Sequence, residues 1–108
     1  MTELQTPVRN RTVDEYRAQL KAMLPELAEK FGVSELGLFG SRVRGDHRED
    51  SDLDVLVSFR PGAYVSLFTL GELQITIEES LGVAIDLAMK DTLKPKIGAR
   101  ILAEVQYL

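Results

Sequence analysis

The stretch "LFGSRVRGDHREDSDLDVLV", residues 38–57, constrains this chain most. An apolar strand ends in Gly40-Ser41, a charged loop follows, and a second apolar strand opens Asp52-Leu53-Asp54. Residues two apart on a strand leave the same face, so both carboxylates project together with Cα atoms roughly 6.5–7 Å apart. At about 5 Å and an effective dielectric near 20, two such charges repel by ~3 kcal/mol. A hard divalent cation reverses that sign, because carboxylate oxygens are the ligands Mg²⁺ prefers. Asp86 adds a third acid inside "VAIDLAM", where apolar neighbours make an unpaired carboxylate costly. If the strand carrying Asp86 lies beside the one carrying Asp54, the three acids converge. The expected arrangement holds two metal ions about 3.5–4 Å apart, which suits in-line phosphoryl displacement. A bare D-x-D reads more simply as a cap, turn or salt-bridged pair; the upstream Gly-Ser changes the balance.

Gly40 lets backbone amides approach a ligand closely, and Ser41 can cap a following turn of helix while offering its hydroxyl. Amides at a helix start, with Arg42 and Arg44 nearby, form a site for triphosphate oxygens. Gly40, Ser41, Arg42 and Arg44 are therefore the candidate nucleotide-binding residues. Gly40 to Gly45 has the spacing of a Walker A loop, but Asp46 stands where its lysine must be, which excludes that motif. His47, the single histidine, reads as a solvated loop residue, and Lys94 and Lys96 as solvated helix-end residues.

The remaining pattern places this hairpin in an α/β (α+β) domain. Thr12 to Glu15 reads as a capping box before an apolar stripe at Val13, Tyr16, Leu20, Met23, Leu24 and Leu27. That predicts a helix to about Lys30 with Gly32 as its stop; Pro25 removes one backbone donor, leaving a kink or a split open. Strands are expected at 34–40, 53–59 and 83–89. Helices are expected from about Tyr64 to Leu81, with Leu67, Leu70, Leu73, Ile77 and Leu81 facing inward, and from Lys94 to about Leu102. With a turn of helix after Ser41 the order is α-β-α-β-α-β-α, helices flanking a small sheet of about three strands. Tyr64, Phe68 and Ile75 fall on a second side of their helix, open either to a partner or to another helix of the domain. The tail "ILAEVQYL" is either core cover or a dimer contact, so a homo-oligomer is left open.

Length and composition set limits. The 108 residues, 44% hydrophobic, suit one modest core. We expect a flexible N-terminal arm over residues 1–11 and a single domain over 12–108. A net charge of -4 argues against a general nucleic-acid track. The absence of cysteine excludes disulfides, thiolate zinc sites and thiol nucleophiles. No run approaches membrane-spanning length and there is no leader-like apolar segment, so a cytoplasmic location with no membrane partner is expected.

The string G-S-x-x-R-G…S-D-x-D-x-x-V, at Gly40, Ser41, Arg44, Gly45, Ser51, Asp52, Asp54 and Val57, resembles the signature of nucleotidyltransferases related to DNA polymerase β. With Asp86 and Leu93-Lys94-Pro95 it is similar to the minimal nucleotidyltransferase subfamily, over nearly the whole chain from about residue 13. The resemblance implies a polymerase-β-like fold with a mixed sheet, ATP as donor, two Mg²⁺ ions, and transfer of AMP to a protein hydroxyl. It implies that Asp52 and Asp54 hold both metals. Asp86 would bind the catalytic one and help deprotonate the acceptor, and Gly40 and Ser41 would hold the triphosphate. Larger members carry a further helical domain, so here a partner or acceptor would complete the site. The implied partner is a HEPN-domain toxin, AMP-modified on a tyrosine, with this chain as its antitoxin. Two alternatives are weighed against that reading: an antitoxin that neutralises by binding alone, and a small D-x-D glycosyltransferase.

Overall fold

This computed structural model describes residues 11–108; the expected N-terminal arm lies outside the described residues except for Arg11. α1 (Val13–Phe31) begins where the capping box places it, with the Glu15 amide donating to Thr12 Oγ1 at 3.2 Å and the Thr12 amide to Glu15 Oε1 at 2.8 Å. It runs through Pro25 as one element and ends at Gly32. β1 (Val33–Phe39), α2 (Ser41–Arg44) and β2 (Leu53–Phe59) then form the strand–turn–strand unit. α3 (Leu67–Leu81), β3 (Ile85–Met89), a single 3₁₀ turn at Lys90–Thr92, α4 (Pro95–Glu104) and β4 (Gln106–Tyr107) complete the chain.

The sheet is mixed, in the order β3-β2-β1-β4. β1 runs antiparallel to β2 and β4, and β2 is parallel to β3. It has four strands where the sequence suggested about three. β4 is two residues long, too short to show a period-2 pattern, and pairs with β1 at Gly37 and Leu38. A Cβ at Gly37 would meet Val105 Cγ2 at 2.6 Å and Tyr107 Cδ1 at 3.2 Å, so this bare position lets the tail lie against β1. Leu108 packs on the core, which makes the tail core cover in part.

Strand alternation divides the sheet into two faces with different work. Leu36 and Leu38, Leu53, Val55 and Val57, and Ile85 join Tyr16, Leu20 and Leu27 of α1 and Leu73, Ile77 and Leu81 of α3 in one buried cluster. The intervening positions, among them Phe39, Asp54, Asp86 and Ala88, turn to the other face. Each fully buried leucine contributes about 1.5–3 kcal/mol, and a one-residue slip would exchange the faces and bury Asp54. Core packing thus fixes where the acids stand.

α3 differs from expectation at its start. Ser66 caps it, exchanging hydrogen bonds with Thr69, so the helix begins at Leu67 rather than Tyr64. Leu67, expected inside, is 85% exposed, beside Tyr64 and Phe68 at 86% each. No helix among the described residues is long and apolar enough to cross a membrane.

Candidate active site

Phe39, the last residue of β1, is the Cα partner of Asp54 on β2, and Asp54 is in turn the partner of Asp86 on β3. The turn that follows Phe39 therefore sits beside the carboxylate of Asp54. A Cβ at Gly40 would lie 1.8 Å from Asp54 Oδ2 and 2.7 Å from its Cγ. Gly40 also has φ of 84°, a conformation that favours glycine. Gly40 and Asp54, fourteen positions apart in sequence, thus occupy one spot, and the first must be bare for the second to fit.

Parallel neighbours in a sheet are about 4.8 Å apart, which brings the carboxyls of Asp54 and Asp86 together on the open face. Burial pushes the Asp54 carboxyl up to about 6 from the ordinary 3.8, assisted by the charges of Asp86 and Asp52 and by a hydrogen bond to Asp86, while Arg44 opposes the rise. Such a pair holds a proton up to about pH 6, and a bound cation would favour its release. Asp52 stands where the expected strand 53–59 leaves it. It lies one residue before β2, exposed, and acts on Asp54 through its charge. Among the described residues no group of three or more His, Cys, Asp or Glu stands ready to hold a metal ion, although Asp52 and Asp86 both act on Asp54 through their charges. The structure brings together two of the three acids.

A cleft of about 550 Å³ opens over this face. Gly40, Ser41, Arg44, Asp54 and Asp86 line its polar side, while Leu93, Ile97 and Ile101 form an apolar wall, and Arg100 and Glu104 reach in from α4. Ser41 and Arg42 head α2, where α-helix geometry leaves their amides without an intrahelical partner. Arg44 is held by Asp46 Oδ2 on Nε and by both Glu104 oxygens on Nη1, each at 3.2 Å. These two carboxylates, Asp46 first, raise its already high pKa.

Arg42 is a correction. Only 4% exposed, it turns away from the cleft and donates from Nε and Nη2 to the Ser51 carbonyl at 3.0 and 2.8 Å, and from Nη2 to that of Glu49 at 3.3 Å. Its guanidinium lies 5.7 Å from the Tyr16 ring. Its donors are committed to loop carbonyls, so its role is to pin the loop that sets the distance from Gly40-Ser41 to the acids. Replacing it with methionine removes these charge-assisted bonds and is expected to cost about 2–4 kcal/mol. Thermal melting should fall by about 10 °C or more, with faster proteolytic cleavage in residues 45–52.

His47, Lys94 and Lys96 are exposed and do not line the cleft. Glu104 escaped the sequence reading. It lies far along the chain from the motif, and only the fold brings it to Gly40, whose amide donates to Oε2 at 2.8 Å.

The model for the nucleotidyltransferase domain matches residues 20–108. The chain belongs to that family. The nucleotidyltransferase is 45% identical over 97 residues to the protein adenylyltransferase MntA of Thermococcus cleftensis, an alignment covering 90% of this chain and 96% of that protein. It superposes on a structure assigned as a minimal nucleotidyltransferase with a TM-score of 0.75 and 34% identity, over 92% of this chain and 98% of that one. The fold also resembles a chain from a complex of a tri-AMPylated Shewanella oneidensis HEPN toxin with an MNT antitoxin. There the TM-score is 0.62 at 14% identity, covering 85% of this chain and 70% of that one. The family removes the glycosyltransferase alternative, and the mixed sheet with flanking helices agrees with the expected fold.

Proposed function

We propose that this nucleotidyltransferase moves AMP from ATP to a tyrosine hydroxyl of a HEPN-domain toxin, acting in the cytoplasm as its antitoxin. One observation carries the reading: the Asp54–Asp86 pair and the Gly40-Ser41 turn beside it line one cleft, which also holds Arg44. The hydroxyl oxygen attacks the α-phosphorus, the bond from that phosphorus to the β-bridging oxygen breaks, and pyrophosphate leaves. Asp86, exposed and lining the cleft, would take the acceptor's proton. Ser41 and Arg44, which line the same cleft, would hold the triphosphate and the departing pyrophosphate, since a guanidinium and helix-head amides favour phosphate oxygens.

The donor set fits Mg²⁺, since it consists of hard carboxylate oxygens, and the raised proton affinity of Asp54 marks a place where positive charge is wanted. Asp54 and Asp86 would hold such ions, with Asp52 as the third expected ligand. Bound magnesium would neutralise the phosphates and the charge that develops on them during transfer. The names of relatives support AMP and a HEPN partner, and the exposed Tyr64, Leu67 and Phe68 offer that partner an apolar patch.

A second reading, neutralisation by binding alone, is favoured by the lack of a three-acid cluster among the described residues. Incubating the protein and its HEPN partner with α-labelled ATP separates the two. Transfer predicts labelled partner with the wild-type protein and none with Asp54→Ala plus Asp86→Ala, with neutralisation lost. A doubly substituted protein that still neutralises a partner left unlabelled by the wild type establishes the binder.

A further inference from the structure

Glu104 closes α4 and reaches across the cleft to the turn after β1. One of its oxygens accepts from the Gly40 amide at 2.8 Å, and both lie 3.2 Å from Arg44 Nη1. Asp46 takes Arg44 Nε at 3.2 Å. Among the described residues nothing bonds the remaining nitrogen, Nη2. Arg44 is thus gripped along two edges of its planar fork, with the third nitrogen left for a ligand in the cleft that Arg44 lines. Glu104 also belongs to the helix that supplies the apolar wall, Ile97 and Ile101.

We propose that Glu104 is a positioning residue: it aims Arg44 at the phosphates of the nucleotide and locks α4 to the phosphate side of the cleft. The proposal rests on the transfer reading above. A free arginine loses rotamer freedom when it meets a phosphate, whereas one already held by carboxylates has lost it on folding, so the ligand binds more tightly. The geometry allows the opposite role to be tested too, because a carboxylate on the same donors could compete with phosphate for them.

The test is a double-mutant cycle in the full chain, read by equilibrium binding of a magnesium complex of a non-hydrolysable ATP analogue and by steady-state transfer. Glu104→Gln keeps the side-chain shape and one acceptor for the Gly40 amide but loses the charge on Arg44. We expect Kd and KM to rise about five- to tenfold, with kcat changed less than about twofold. In an Arg44→Ala background the same substitution should add nothing, because Glu104 acts through Arg44. Glu104→Asp, which keeps the charge on a shorter arm, should weaken binding in the same way and serves if the glutamine variant does not fold. Unchanged binding with a lower melting temperature would make Glu104 merely structural, tighter binding would make it a competitor, and an additive loss beside Arg44→Ala would place its action elsewhere. Each overturns the proposal. A wild-type protein that binds no nucleotide fails the transfer reading instead.

Discussion

Gly40→Ala should abolish AMP transfer while leaving the chain folded. The added Cβ would sit 1.8 Å from Asp54 Oδ2, a distance no van der Waals adjustment absorbs, and the backbone at φ 84° would resist it as well. Gly40, at φ 84° and ψ -162°, lies in a region essentially confined to glycine, where the conformational penalty for another residue is about 1–3 kcal/mol, too little to unfold a domain stable by about 5–15 kcal/mol. The clash must then be relieved locally, by turning the Asp54 carboxylate off Asp86 or by lifting the turn that carries Ser41. Either movement breaks the juxtaposition of acid pair and phosphate turn on which the chemistry depends. A drop of about 10³-fold in kcat/KM, equivalent to ~4 kcal/mol of lost transition-state stabilisation, is expected. Initial rates of labelled transfer alongside thermal melts check it; an active alanine variant would mean that the turn has no catalytic part.

Asp54→Asn should stabilise the metal-free protein at neutral pH and abolish transfer, an exchange of function for stability. The folded chain holds the Asp54 proton up to about pH 6, against 3.8 for an ordinary carboxyl. The unfolded chain therefore releases that proton first as the pH rises. Folding is unpenalised below about pH 4 and progressively disfavoured between 4 and 6. By pH 7 the full penalty is present. Each pH unit between the two values is worth about 1.4 kcal/mol, and solvent screening of a half-buried carboxyl leaves a penalty on the order of 1–2 kcal/mol. Without divalent ions the melting temperature of the wild type should fall over this range relative to that of Asp54→Asn, which carries no such titration. Magnesium should restore the wild-type value at pH 7 and leave the asparagine variant nearly unchanged. Wild-type and variant melts that run parallel from pH 4 to 8 would show that Asp54 carries no such strain.

Much of this was legible in the sequence because it depends on short-range pattern. Strand alternation put Leu53, Val55 and Val57 on one face and Asp54 on the other, and a parallel neighbour then set Asp86 beside it. The capping box at Thr12 and the helical turn after Gly40 were equally local. Three features were not. Arg42 carries the same guanidinium as Arg44, and only the packing of its loop shows that its donors are spent on carbonyls at Glu49 and Ser51. Glu104 reaches Gly40 across 64 positions of sequence, with no spacing to announce it. At α3, the Ser66 cap overrode an apolar pattern that continued back to Tyr64.

The paired acids and the bare turn beside them are the heart of the site, and titration calorimetry at pH 7 tests them directly. A non-hydrolysable ATP analogue is added to the wild-type protein and to Asp54→Asn, each with and without magnesium. Heat of binding in the wild type with magnesium, and little in the other three mixtures, is the expected result. Equal affinity in the asparagine variant, or binding that ignores magnesium, would contradict a metal–nucleotide site at Asp54 and Asp86.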